Sequence, residues 1–126
     1  MANTFRSFSK ASIGTSPTTA YQIELDGNTS KTSIVIGIAL SNRASTPINV
    51  DVQIDRPATG TTAAPSDDVY LAKDIPIPAG STLEVMAGQK LILEYNGTAA
   101  AGDAIVVTSD TASSLDVIIN ALEITS

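Results

Sequence analysis

The segment Ile48 to Asp55 reads INVDVQID, and its alternation decides the fold. Ile48, Val50, Val52 and Ile54 alternate with Asn49, Asp51, Gln53 and Asp55. A period of two puts the aliphatic side chains on one face and the polar ones on the other, as in a half-buried antiparallel strand. The run before it, SIVIGIAL (33–40), is apolar at both parities and predicts a central strand covered on both sides. Gly37 within it marks a bulge or a close approach by a neighbouring chain. The turn-rich SNRASTP (41–47) joins the two runs.

The same grammar continues in both directions. TTAYQIEL, VYLAKDIPI, STLEVMA, QKLILEY, DAIVVTS and SLDVIINALEI are short and rich in β-branched residues or leucine. Each is fenced by turn residues such as Asp26-Gly27-Asn28, Pro78-Ala79-Gly80 and Gly102-Asp103. SLDVIINALEI also fits a helical spacing through Leu115, Ile118, Ile119 and Leu122, with Ser114 as a cap. Three β-branched residues in a row, and a position after DAIVVTS like the return arm of a hairpin, favour a strand. About eight strands at this spacing predict an all-β chain, a single antiparallel sandwich of jelly-roll or immunoglobulin-like type.

The 126 residues are expected to form one domain. Residues 17–126 make the sandwich, with a long polar loop at 56–68, RPATGTTAAPSDD. Residues 1–16 show no reliable period and are expected to extend as an N-terminal arm. That arm carries Phe5 and Phe8, two of five aromatic residues, beside Arg6 and Lys10. Either the two rings cap their own core, or they dock into another subunit as anchors.

Residue types narrow the function before any geometry enters. The chain has no cysteine and no histidine, which removes thiol catalysis, a Ser-His-Asp triad and His- or Cys-ligated metal. Asp26 to Ser30 begins like a calcium loop, but Lys31 and Gly37 stand where that loop needs glycine and glutamate. Asp67, Asp68 and Asp74 read as solvated acids. No nucleophile elbow, P-loop or dinucleotide fingerprint is present. No enzyme and no cofactor are expected.

Thirteen acids against seven scattered bases give a formal net charge of −6. Nucleic acid and anionic membranes are therefore not expected partners. The first residues lack the apolar run of a secretory signal, and Ile34–Leu40 is far too short to span a bilayer, so the chain is expected to be made in the cytoplasm.

Four phrases carry a likeness. MANTF…SIGTSPTTAY (1–21), VIGIALSNR…INVDVQI (35–54), KDIPIPAGS (73–81) and GDAIVVTSD…SSLDVIINALEI (102–124) cover nearly the whole chain. Together they resemble small β-rich virion structural proteins of tailed bacteriophages, of the marine and cyanobacterial phage type. The loop at 56–68 is longer than that pattern. The resemblance implies a place in the virus particle, first as a capsid decoration or cement protein. The alternatives are a neck or tail adaptor or fibre-associated protein, and, from another class, a carbohydrate- or receptor-binding sandwich. It implies symmetric association as a trimer or ring, with the major capsid protein or neck and tail proteins as partners. The expected contact residues are Phe5, Arg6, Phe8 and Lys10 in the arm, and Arg56, Asp67, Asp68 and Tyr70 in and beside the loop.

Overall fold

The computed structural model describes residues 2–23, 31–55, 69–86, 90–95 and 102–125. The described residues are all-β, with nine strands: β1 (Ala2–Ile13), β2 (Thr18–Gln22), β3 (Lys31–Asn42), β4 (Ile48–Asp55), β5 (Val69–Ile77), β6 (Thr82–Glu84), β7 (Leu91–Tyr95), β8 (Ala104–Ser109) and β9 (Leu115–Thr125). Two antiparallel sheets pack face to face. The first runs β1-β9-β3, with β6 and β7 both on the far side of β3, and the second runs β2-β8-β4-β5.

This order is that of one long hairpin rolled into a sandwich. Its nested rungs are β1 with β9, β2 with β8, β3 with β6 and β7, and β4 with β5. Rolling adds β3 beside β9 and β4 beside β8. Of the two expected layouts, this is the jelly roll. The ninth strand arises because the partner of β3 is split: β6 pairs residues 39–41 and β7 pairs 31–35.

The core forms where the inward parities of both sheets meet. Val35, Ile38, Leu40, Val117, Ile119 and Ala121 come from the first sheet. Val50, Val52, Ile54, Ile105 and Val107 come from the second, and all eleven are essentially inaccessible to water. INVDVQID buries its four aliphatic residues and turns Asn49, Asp51, Gln53 and Asp55 outward, as its period requires. SLDVIINALEI is strand, not helix, and pairs β1 on one side and β3 on the other.

Corners are closed by side chains that take over backbone duties. Buried Asn42 donates through Nδ2 to the carbonyls of Thr46 and Ile77, and its Oδ1 accepts from the Ala44 amide. Between β8 and β9, Ser114 Oγ donates to the Thr111 carbonyl and lies 2.6 Å from Ser109 Oγ. In the Pro78–Ser81 turn the Ser81 amide reaches the Pro78 carbonyl, and Gly80 supplies a φ of 68° that other residues adopt at a cost.

Two expectations need correcting. The segment foreseen as an arm is extended, but residues 2–13 lie along β9 as an edge strand of the sandwich. The apolar β9 is eleven residues long, and pairing with β1 satisfies the backbone groups on its otherwise free flank. The second concerns β3, expected to be covered on both sides. It is central, but among the described residues only its inner face is packed, and Ile36 remains 46% exposed.

Candidate docking face

That outer face, open among the described residues, carries a contiguous row of apolar side chains. Register places Phe5 opposite Leu122, Leu122 opposite Ile34, and Ile34 opposite Ile92. Four large apolar side chains therefore form one row across β1, β9, β3 and β7, on the solvent side. Phe5 is 75% exposed and Ile92 51%. A second level holds Ile118, 49% exposed, beside Ala39.

Between these levels runs Ser7–Asn120–Gly37, whose side chains are small, polar or absent. A depression of about 340 Å³ opens there, lined by Phe5, Ser7, Ile36 and Asn120 among others. Its origin is local. The β3 register shifts between Val35 and Gly37, as the glycine foretold, and the bulge turns Ile36 outward at the rim. Glu84 holds the bulge by accepting from the amides of Ile38 and Met86.

The opposite outer face is mixed: polar along β4, with Ala104 and Val106 of β8 opposite Asp55 and Gln53. Asn49, Asp51, Gln53 and Asp55 of β4 lie beside Thr108 of β8 and Lys73 of β5. Lys73 Nζ sits 3.1 Å from Asp51 Oδ2 and covers the Tyr70 ring at 5.0 Å from its centroid. Burial pushes the Asp51 carboxyl up, but the Asp74 amide and the Lys73 ammonium outweigh it, and the group lies below the usual carboxylate range. The hydrogen bond to Asp51 raises Lys73 in turn.

The expected contact residues separate on inspection. Phe5 belongs to the apolar row. Arg6, Phe8 and Lys10 have the other parity, opposite Ala121, Ile119 and Val117 of β9. Phe8 packs on the core with its ring 4.3 Å from that of Tyr21, so it follows the capping alternative. Arg6 lies over Phe8 and reaches Glu123 at 3.6 Å. Tyr70 is in β5, exposed, under Lys73. Arg56, Asp67 and Asp68 lie outside the described residues, as does the whole 56–68 loop.

Sequence reasoning missed Ile34, Ile36, Ile92, Ile118 and Leu122 as a surface. The signal was present: β3, β7 and β9 are apolar at both parities, whereas β4 is not. It also missed the buried trio Tyr21, Ser33 and Glu123 beneath β1. The Tyr21 hydroxyl donates to Glu123 Oε2 at 2.6 Å and lies 2.9 Å from Ser33 Oγ. Burial raises the Tyr21 phenol above its usual range, and the bond to Glu123 adds to that.

Among the described residues no three acidic side chains gather into a cation site. No known protein family, curated protein or solved structure matches this chain.

Proposed function

We propose that this chain is a non-enzymatic structural protein of a bacteriophage virion, a decoration protein that cements the capsid shell. The observation that carries the reading is the exposed row Phe5–Leu122–Ile34–Ile92, set against the polar outward residues of β4 on the other sheet. A folded domain rarely leaves so contiguous an apolar surface open without a partner to cover it. Covering one large apolar side chain contributes about 1.5–3 kcal/mol, so a few anchors suffice for a stable contact. The polar face with Asp51 and Asp55 then points to solvent and disfavours stacking of sandwiches on that side.

The likeness to small virion proteins supports the same reading, and the jelly roll is a frequent architecture of viral shells. Fold alone does not choose a function, so the weight rests on the asymmetry of the two faces. The partner is the major capsid protein, and attachment is repeated by symmetry over the particle.

Quantitative mass spectrometry of purified particles tests this through the copy number relative to the major capsid protein. Hundreds of copies, the order expected for icosahedral repetition, support decoration. A number in the range of a ring, on the order of a few to a few dozen, moves the protein to the neck or tail. Absence from particles overturns the virion reading.

A further inference from the structure

The two sheets have four edges, and three of them are blunted. On β5 the register shifts twice against β4, Pro76 lacks an amide hydrogen, and Asp74 takes a φ of 54°. On β2 the strand is five residues long and its register breaks between Thr19 and Tyr21. The edge beyond β3 is divided between β6 and β7. Each of these is a recognised defence against pairing with another chain.

The β1 edge has none of them over most of its length. Its register against β9 runs unbroken from Ala2 to Lys10, without proline, and it pairs no second strand among the described residues. Its one irregularity comes after Lys10. Its charges, Arg6 and Lys10, lie on the inner parity, and its outer face alternates Asn3, Phe5, Ser7 and Ser9.

We propose that two copies of this chain pair β1 to β1, antiparallel about a twofold axis at Phe5. In an antiparallel pair, directly opposed residues share a face, so a symmetric pairing that keeps both apolar faces on one side is centred on a residue. Centres at Arg6 and Lys10 oppose like charges to themselves, and a centre at Phe8 opposes Arg6 to Lys10, which destabilises the pair. A centre at Ser7 sets Phe5 against the partner's Ser9 and interrupts the apolar row.

A centre at Phe5 avoids both faults. It sets Phe5 against the partner's Phe5, Thr4 against the partner's Arg6, and Asn3 against the partner's Ser7. The row Phe5–Leu122–Ile34–Ile92 then continues into its own copy, and the first sheet becomes one sheet spanning both molecules. This accounts for the 75% exposure of Phe5 at the rim of a row of otherwise better covered side chains. A twofold pair closes on itself, so it replaces the trimer or ring expected above with a dimer as the unit of assembly. The pairing deepens the proposed function and rests on it only for what the enlarged face would bind.

The absence of native cysteine makes the test clean. Opposed residues have Cα atoms about 4.5–5.5 Å apart, within disulfide range. Under oxidation, the full-length double variant Asn3→Cys with Ser7→Cys is expected to run as a covalent dimer, and each single variant as a monomer. In the single variants the thiols stand roughly 13 Å apart, four residues along a strand at about 3.4 Å each. Wild type is expected to sediment at twice the chain mass, and Phe5→Lys to fall back to the monomer.

A monomeric wild type overturns the pairing. So does a dimer that Ser7→Cys alone can link, or one that Phe5→Lys leaves intact. A linked dimer that is absent from particles leaves the pairing standing and removes the virion reading. A monomer found on particles does the reverse.

Discussion

The Tyr21 hydroxyl and the Glu123 carboxylate meet at 2.6 Å, tying β2 of one sheet to β9 of the other. Glu123 is only 4% exposed, and Arg6 on β1 reaches its second oxygen. Ser33 of β3 completes the group from below. A buried carboxylate is expensive unless its oxygens are engaged, and here β2 supplies Tyr21 to one and β1 supplies Arg6 to the other. The edge strand that carries Phe5 is thereby fastened by Arg6 and Phe8 on its inner side, while its outer side stays free.

Tyr21→Phe is expected to cost about 1–3 kcal/mol in chemical denaturation, because Glu123 keeps its burial and loses its donor. The cost should depend on pH. The phenol is raised in the folded state, so its contribution is complete below the unfolded value of about 10 and shrinks as pH rises beyond it. A gap between wild type and variant that grows above that pH contradicts the assignment.

Phe5 and Phe8 should part company on mutation. Phe8→Ala removes a ring packed on Tyr21 and the core, with an expected loss of about 2 kcal/mol. Phe5→Ala should change monomer stability by no more than about 0.5 kcal/mol, since its ring lies in solvent. Thermal melts of the two variants at low protein concentration check this directly.

Ile92→Asp and Ile118→Asp probe the outer face away from the β1 edge. Both residues are about half exposed, so folding should survive with changes near 0.5 kcal/mol. Occupancy on purified particles is expected to fall at least tenfold for the pair of substitutions together, as an unpaired charge at a covered apolar contact costs more than about 1.4 kcal/mol. Unchanged occupancy would leave the face without its proposed role.

Asp51→Asn tests the polar side. The folded Asp51 carboxyl is lowered, so its stabilisation is present above the unfolded value of about 3.9 and is lost as pH falls through the folded one. Wild type should therefore exceed the variant in melting temperature at neutral pH, and the two should converge in acid. A difference that persists unchanged to low pH assigns the effect to packing instead.

Gly80→Ala isolates a backbone term. No heavy atom lies within 4 Å of where its Cβ would stand, yet the φ of 68° disfavours any side chain. About 1 kcal/mol of destabilisation is expected, with no change in the denaturant slope.

The sequence by itself determined most of the strands after β1 and most of their inner faces; β1 itself, with no clear period, showed only in its pairing with β9. INVDVQID could lie only one way, because a period of two fixes which side chains share a face. The turns at Pro78–Ser81 and the bulge at Gly37 were equally legible, since each depends on residues a few positions apart. The candidate face was not. SIVIGIAL and SLDVIINALEI show two apolar faces, and nothing local says whether a second layer covers the outer one. That was decided by the rolling of the hairpin, which places the second sheet on one side of β3 and, among the described residues, leaves the other open. Nor could the sequence pair Tyr21 with Glu123, 102 positions apart. Periodicity records which residues point together, whereas strand order and register decide what they point at, and those are set by contacts between distant parts of the chain.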